Sequence, residues 1–110
     1  MISADAIRGY IDLMVLSRLR TAPSYAYEIA QQINAVAGAD YSIKQTPLYS
    51  AVKRLEAAGL VTSYPDASDS GKPRTYYRIT ANGLAHLDAK VAEWAATKTV
   101  VDRFLEGAAS

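Results

Sequence analysis

The sequence predicts a mainly α-helical domain that contains one small β-hairpin and is followed by a long C-terminal helix. Apolar residues recur at helical spacing through residues 3–59 and again through residues 81–106. Between these stretches, two runs of β-branched and aromatic residues flank a loop rich in Pro, Gly and Ser. We therefore predict one domain over residues 1–80 and a C-terminal helical segment over residues 81–110 that continues from it.

The composition restricts the classes of function. The 110 residues suffice for one domain with a modest core, and 50% hydrophobic with 21% charged residues is a globular composition. The net charge is only +1, so any nucleic-acid binding must depend on local clusters of Lys and Arg. The sequence has no cysteine, which excludes disulfides and thiolate chemistry. Its single histidine argues against a His-based metal site or a Ser-His-Asp triad.

The most apolar stretch near the N-terminus covers residues 10–19, and charged residues interrupt and flank it. It is too short to span a bilayer, and no small-residue cleavage site follows it. We therefore expect a soluble, cytoplasmic protein with no membrane partner.

The first two helices are indicated by caps and apolar faces. Ser3 can cap a helix over residues 3–20, and the broad apolar face of this helix requires neighbours on more than one side. We expect this helix both to pack in the core and to contact a second subunit. Residues 21–24 interrupt the pattern, and Ser24 can cap a second helix over residues 25–36.

The third helix has a start signal, two distinct faces and a stop signal. Thr46 can be its N-cap, Pro47 suits the first helical position, and Gly59 can end it in the left-handed conformation. Three short helices with a basic outer face on the last are the layout of a helix-turn-helix unit, although any small helical bundle shows the same periodicity. The apolar face comprises Leu48, Ala51, Val52 and Leu55, and the polar face Tyr49, Ser50, Lys53 and Arg54.

The pattern changes to an extended one after Gly59. Residues 60–64 and 75–80 read as strands, and residues 65–74 have the composition of a loop whose end carries Lys72 and Arg74. An isolated hairpin of this size is not stable, so it must pack against the helices. Three helices followed by such a hairpin make a winged helix-turn-helix domain.

The last helix begins at the cap residue Thr80 and continues to about Glu106. A helix of roughly 25 residues is about 40 Å long, more than a small core can cover, so its apolar stripe favours a symmetric second copy. A long helix packed entirely within one chain is the alternative. Apolar residues repeat at heptad spacing, with Lys98 as the polar member: Leu84, Val91, Lys98 and Leu105, and between them Leu87, Trp94 and Val101.

Four motifs, in order, point to a known family. They are SYAYEI at residues 24–29, TPLYSAVKRLEAAGLV at 46–61, GKPRTYYRIT at 71–80, and Asn82-Gly83. The sequence resembles the PadR-like winged-helix transcriptional regulators, specifically the short subclass with a single C-terminal helix. It departs from the family pattern at Ala26, where glycine is usual, and at Thr75, where a second basic residue is common.

The resemblance implies a homodimer that usually represses transcription from an inverted-repeat operator in double-stranded DNA, without a cofactor. In such proteins the helix matching residues 47–58 enters the major groove, the wing matching residues 65–75 reaches the flanking backbone or minor groove, and the last helix dimerises. We expect the last helix to pack with residues 3–20 of the partner. The expected dimerisation residues are Ile7, Tyr10, Ile11, Met14, Leu84, Leu87, Val91, Trp94, Lys98, Val101 and Leu105.

Phosphate contacts supply most of the affinity in such complexes, and we assign the basic residues of the third helix and wing to them. The alternative interpretation of each tyrosine is core packing with the hydroxyl at the surface. Strand alternation makes either Tyr76 or Tyr77 a core residue, and we expect Tyr77 to lie nearer the DNA. The expected DNA-binding residues are Tyr25, Tyr27, Lys44, Gln45, Thr46, Tyr49, Ser50, Lys53, Arg54, Lys72, Arg74 and Tyr77.

Trp94 has two interpretations. A large aromatic residue at a heptad position is a dimer-interface anchor, which is the simpler one. Alternatively, two-fold symmetry brings both copies of Trp94 together to line a slot for a flat aromatic or hydrophobic effector, as some short members of the family sense such compounds. The slot would comprise Tyr10, Met14, Val15 and Trp94.

Two other classes of function compete with a DNA-binding regulator. A winged-helix protein-interaction module without DNA binding is compatible with the low net charge, although Lys53 and Arg54 argue against it. An enzyme is not favoured, because Glu28, Glu56 and Glu93 have no nucleophile–base spacing and no glycine-rich phosphate loop is present.

Overall fold

The structure, a computed structural model, describes residues 2–107, apart from the side chains of residues 4 and 5. Residue 1 of the predicted domain and residues 108–110 of the predicted C-terminal segment lie outside the described residues. The predicted winged helix-turn-helix with a long C-terminal helix is confirmed. Its elements in chain order are α1 (Ala4–Ile7), a 3-10 turn (Arg8–Tyr10), α2 (Ile11–Thr21), β1 (Ser24–Tyr25), α3 (Ala26–Ala37), α4 (Gln45–Ala57), β2 (Val61–Ala67), β3 (Pro73–Ile79) and α5 (Ala81–Gly107).

The predicted first helix is interrupted. Ser3 caps it as expected, since its hydroxyl accepts a hydrogen bond from the Ala6 amide at 3.1 Å. A 3-10 turn over Arg8–Tyr10 then separates α1 from α2. Gly9 lies in this turn, and glycine is a poor helix former.

The core lies between α2, α3 and α4. The inner face of β3 and the second turn of α5 complete it. The predicted apolar face of α4 is confirmed, because Leu48, Ala51, Val52 and Leu55 are all buried. The other core residues are Ile11, Val15, Leu16, Leu19, Ile29, Ala30, Ile33, Ile43, Val61, Tyr77 and Leu87.

The turn between α3 and α4 is fixed by one side chain. The Asn34 side-chain oxygen accepts a hydrogen bond from the Ile43 amide at 2.7 Å, and its amide nitrogen donates to the Ile43 carbonyl at 3.2 Å. This pair replaces the backbone partners that Ile43 lacks in the turn, and Ile43 itself is buried. The side chain of Asn34 therefore sets where α4 begins relative to α3.

Two predicted caps are wrong. Helix α4 begins at Gln45 with Lys44 as its N-cap residue, so Thr46 is not the cap and Pro47 is the third helical residue. Ser24 lies in β1, and its hydroxyl bonds to the carboxylate of Glu28 instead of capping a backbone amide. The predicted end of α4 is confirmed, because Gly59 has φ +76°.

The hairpin is longer than predicted and has a third strand. The sheet order is β1-β3-β2, and β2 pairs antiparallel with β3 from Val61 opposite Ile79 to Ala67 opposite Pro73. Half of the predicted loop, residues 65–67 and 73–74, is therefore strand, and the chain reverses over residues 68–72, where Gly71 has φ +83°. The two residues of β1 pair with Tyr76 and Tyr77.

Helix α5 begins directly against the end of α4. The Thr80 hydroxyl accepts a hydrogen bond from the Gly83 amide at 2.9 Å, which confirms the predicted cap, and donates to the Gly59 carbonyl at 2.8 Å. The Thr80 amide also donates to the Leu60 carbonyl at 3.0 Å. A Cβ atom on Gly83 would lie 2.1 Å from that same carbonyl oxygen, so the helix can approach this closely only with glycine there.

We expect Gly83→Ala to destabilise the protein by about 1–3 kcal/mol, because the added methyl group must displace backbone. Chemical denaturation measures the change. Gly9→Ala is the matched control, since a Cβ at Gly9 meets nothing within 4 Å, and should stay within about 0.5 kcal/mol of wild type. Equal stability of the two variants would contradict a close contact at Gly83.

Candidate nucleic-acid interface

The outer face of α4 is polar, exposed and opposite the core. Thr46, Ser50, Lys53 and Ala57 follow one another at helical spacing along the centre of this face, and all are exposed. Small and hydroxyl side chains allow close approach, and Lys53 adds a positive charge. An α-helix fits the major groove of B-DNA, so this face has the shape and chemistry to contact base edges.

Two neighbours, one aromatic and one acidic, orient Lys53. Its ammonium nitrogen lies 5.3 Å from the centre of the Tyr49 ring and 3.6 Å from a carboxylate oxygen of Glu56. The phenol groups of Tyr77 and Tyr49 and the Glu56 carboxylate raise the pKa of Lys53. Lys53 is therefore a cation at neutral pH, beside the wing-facing edge of α4.

Arg54 lies on the opposite edge of α4, toward α2. Its guanidinium pairs with the Asp12 carboxylate at 2.7 Å, while about half of the Arg54 side chain remains exposed. An exposed ion pair of this kind contributes little to stability, but it orients the guanidinium. To contact a phosphate, the Arg54 guanidinium would have to bind it together with the Asp12 carboxylate or in place of that carboxylate.

The outer face of the sheet carries a row of aromatic and basic side chains. Tyr76 contacts Tyr25 and Tyr64, with ring centres 5.3 and 5.8 Å apart. Arg74 lies over the Tyr25 ring at 5.2 Å, and Arg78 over the Tyr64 ring at 4.9 Å. Tyr64, Tyr76 and Arg78 are not among the predicted DNA-binding residues, although the alternation of Arg74, Tyr76 and Arg78 along one strand was a signal for them.

The expectation that Tyr77 is the tyrosine facing the DNA is wrong for its ring. Tyr77 is only 1% exposed and belongs to the core, whereas Tyr76 faces outward. The pairing of β3 with its two neighbours decides which tyrosine is buried. Tyr77 lies between Ser24 and Ser63 on the face of the sheet that packs against the helices. The ring belongs to the same core cluster as the buried residues of α4, and the charges of Lys53 and Tyr49 act on the pKa of its hydroxyl.

The remaining predicted DNA-binding residues are accessible. Lys44, Gln45 and Tyr27 are exposed near the starts of α4 and α3, and Tyr25 is partly buried beneath Arg74. Lys72 is exposed in the turn of the wing. The structure thus brings α4, the start of α3 and the wing to one side of the domain.

The predicted dimerisation residues divide into two groups. Ile11, at 8% exposure, and Leu87, at 0%, are buried inside this chain, so their assignment to a subunit interface is wrong. Heptad spacing indicated a single seam, but the first turns of α5 pack on their own domain. The other large apolar side chains of α5 are exposed, including Leu84 in its first turn: Leu84, Val91, Trp94, Val100, Val101, Phe104 and Leu105.

The predicted aromatic slot is only partly present. Val15 is fully buried in the core and cannot line it. The Tyr10 ring meets Trp94 edge-on at 5.1 Å, and both border a cavity of about 400 Å³ between α2 and α5. Met14 instead borders a second, more apolar groove with Val36 and Val91. Lys98 pairs with Asp102 at 2.8 Å.

The sequence profile of the transcriptional regulator PadR-like family matches residues 15–89, which run from within α2 into the first turns of α5. The chain belongs to the PadR-like family of transcriptional regulators. PadR-like regulators are non-enzymatic proteins that bind DNA, typically as dimers. The resemblance inferred from the four motifs is therefore confirmed. Within residues 2–107, no helix has the length and apolar character needed to span a membrane.

Several relatives cover nearly the whole PadR-like chain. An uncharacterised protein of Lysinibacillus sphaericus is 41% identical over 108 residues, covering 97% of this chain and 98% of its own. The structure of a transcriptional regulator from Clostridium thermocellum is 44% identical with a TM-score of 0.85, covering 94% and 98% of the two chains. A PadR family transcription regulator from Clostridium difficile is 36% identical with a TM-score of 0.78, covering 88% and 99%.

We expect Arg74→Ala to weaken DNA binding across sequences and to flatten the dependence of log K on log salt by roughly 0.9 for each phosphate that the variant no longer neutralises. Titration of DNA at several salt concentrations measures the slope. Arg78→Ala is the matched control, since it removes the same charge from the other end of the tyrosine row, and it should change the slope less. An unchanged slope for Arg74→Ala would show that Arg74 does not bind phosphate.

Proposed function

We propose that this PadR-like protein is a homodimeric repressor that binds an inverted-repeat operator. One observation carries the proposal: the outer face of α4, centred on Thr46, Ser50 and Lys53, is exposed and polar while its inner face is buried in the core. In this proposal α4 enters the major groove and the wing, with Lys72 and Arg74, contacts the flanking phosphates. The cytoplasm, where operator DNA lies, is its proposed location.

The apolar surface of α5 supports the homodimer. Trp94 is 43% exposed and Leu105 is 73% exposed, although both are large apolar side chains. Of the α5 residues that the structure describes, only Gly83 and Leu87 are buried within the chain. We propose that the exposed stripe of α5 packs against the second copy, together with Ile7, Tyr10 and Met14 from the N-terminal helices. Residues 1–80 and 81–110 are thus proposed as the DNA-binding and dimerising parts.

Selection of bound DNA from a random library tests the function. We expect enrichment of an inverted repeat with half-site centres about one helical turn apart, roughly 34–36 Å, because two α4 helices related by a two-fold axis read equivalent sequences. Electrophoretic mobility shift then gives the stoichiometry, expected to be two chains for each repeat. No enrichment even at low salt would contradict the proposal and favour the protein-interaction alternative.

Two variants control for the role of the dimer in that selection. Val101→Glu places a charge in the apolar stripe of α5, so we expect dissociation to monomers and loss of the paired half-sites. Ala96→Glu adds the same charge to the same helix away from the heptad stripe, and should keep the dimer. Analytical ultracentrifugation measures the oligomeric state. Val101→Glu remaining dimeric would contradict the proposed interface.

We further propose that a flat aromatic or hydrophobic effector binds beside Trp94 and releases the DNA. The support is the cavity of about 400 Å³ that Tyr10 and Trp94 border, next to the proposed dimer surface. Trp94 is the sole tryptophan, so its fluorescence reports binding directly. We expect quenching on titration with aromatic compounds, together with reduced operator affinity; no response across a broad panel would contradict this effector site.

A further inference from the structure

Asp12 lies between the proposed effector site and the proposed recognition helix. It borders the cavity of about 400 Å³ between α2 and α5, which we call the Trp94 cavity. Its carboxylate also accepts a hydrogen bond from the guanidinium of Arg54 on α4, at 2.7 Å. Of the described residues that border the Trp94 cavity, Asp12 is the one joined to α4 by an ion pair. The two proposed sites therefore meet at this side chain.

Arg54 is placed to reach the DNA backbone. It lies one helical turn after Ser50, which is at the centre of the polar face of α4. Both residues border a cleft between α4 and the N-terminal helices. About half of the Arg54 side chain is exposed, so a phosphate beside this edge of α4 can approach its guanidinium.

The Asp12 carboxylate competes with such a phosphate. Carboxylate and phosphate oxygens are acceptors for the same guanidinium, and two anions that close together repel each other. Because 40% of the Asp12 side chain is exposed, water can solvate the carboxylate when Arg54 leaves it. In the free protein the pair is formed, so a phosphate gains Arg54 only by weakening that pair.

The charged residues of α5 that border the cavity are engaged with each other. The ammonium nitrogen of Lys90 lies 3.5 Å from a carboxylate oxygen of Glu93, one turn away on the same helix. Among the residues that the structure describes, the ion-pair partner of Asp12 is thus on α4 and not across the cavity. A change of solvation beside Asp12 therefore acts on Arg54.

Filling the cavity shifts the balance between the two acceptors. A neutral ligand there removes water from beside Asp12, and a carboxylate that has lost water depends more strongly on its ionic partner. Transfer of Arg54 to a phosphate would then leave a poorly solvated negative charge on Asp12. A filled cavity therefore favours the Asp12–Arg54 pair over the contact between Arg54 and phosphate.

We propose that Asp12 is a positioning residue that couples the Trp94 cavity to α4. When the cavity is empty, Arg54 exchanges between Asp12 and the DNA backbone. When a neutral aromatic ligand fills the cavity, Asp12 retains Arg54 and the operator is bound less tightly. The inference rests on the proposed function, since it assigns the route by which the proposed effector acts on DNA. By linkage, an operator that takes Arg54 weakens ligand binding by the same factor.

Asp12→Asn removes the competing charge. We expect affinity for the selected operator to rise about two- to fivefold for each half-site, and the dependence of log K on log salt to steepen, because Arg54 then binds phosphate. Arg54→Gln should lower affinity more in Asp12→Asn than in the wild type. Asp88→Asn is the matched control, because it removes the same charge from an exposed position on α5, and it should leave affinity unchanged.

The direction of this change separates coupling from a purely structural role, because partial unfolding cannot raise affinity. An equal gain with and without Arg54 would show that the carboxylate repels DNA directly, and would overturn the proposal. Unchanged operator affinity of Asp12→Asn would overturn it as well.

Thr97→Phe supplies an occupant without an added ligand. Thr97 borders the Trp94 cavity, so a phenyl group at this position fills part of it. We expect operator affinity to fall about two- to fivefold for each half-site in the wild type and to be unchanged in the Asp12→Asn background. Thr97→Leu, which fills less of the cavity, should give a smaller change in the same direction.

Ala96→Phe is the matched control for the added ring, since residue 96 is not among the residues that border the cavity, and it should not lower affinity. Analytical ultracentrifugation of each variant checks that the dimer is retained. Equal losses for the Thr97 variants in the wild-type and Asp12→Asn backgrounds would overturn the coupling while operator binding stands. Failure of the wild type to select any DNA would instead overturn the proposed function.

Discussion

The contact between the start of α5 and the end of α4 is the constraint on which the rest of the structure depends. Gly83 lies against the carbonyl of Leu60, and Thr80 joins the carbonyls of Gly59 and Leu60 by hydrogen bonds. Since Gly59 also ends α4, one short stretch of backbone connects the polar helix, the wing strands and the long helix. These elements therefore hold a fixed relation to one another, and a dimer built through α5 would place two α4 helices at a defined separation.

The same side of the molecule shows how a nearly neutral chain can present a surface suited to DNA. The net charge is +1, yet Lys53, Arg74 and Lys72 are placed along one side of α4 and the wing. Their neighbours are mostly tyrosines, whose rings lie under or beside the cations without neutralising them. Two cations of α4 also face a carboxylate, because Lys53 lies near Glu56 and Arg54 pairs with Asp12. Local arrangement, more than total charge, thus determines the electrostatic character of this face.

Elements with a strong local signal were predictable. Helix α4 was located from its four buried apolar residues and from Gly59, and α5 from Thr80 and its heptad spacing, because these signals lie within each element. Helix α4 begins two residues earlier than predicted, at Gln45 instead of Pro47, since the side chain of Asn34, nine residues before Ile43, shapes the turn that precedes it. Such a contact has no local signature. The strand β1 was missed because two residues show no periodicity.

Side-chain environments were harder to predict than elements. Tyr76 and Tyr77 are adjacent and chemically identical, and only the pairing of β3 with its neighbours decides which of them is buried, because a shift of one residue exchanges the faces. Similarly, a heptad repeat reports an apolar stripe but not which molecule covers it. Leu87 is covered by its own domain, whereas Trp94 on the same stripe remains accessible. The Tyr77 hydroxyl is buried without a hydrogen-bond partner, and this can be known only from the position of its ring in the structure.

Because α5 is long and is held near one end, a small change in its angle moves its other end by a large distance. The molecule measures 59 Å along its longest axis, and α5, with 27 residues, is about 40 Å long and held near one end at Gly83. A tilt of about 10° over that length displaces the far end by about 7 Å, close to the rise of two base pairs. In the proposed dimer, a small change of the angle between the two α5 helices would therefore shift the two α4 helices relative to each other. The shift would be large enough to move one α4 helix off its half-site while the other stays bound.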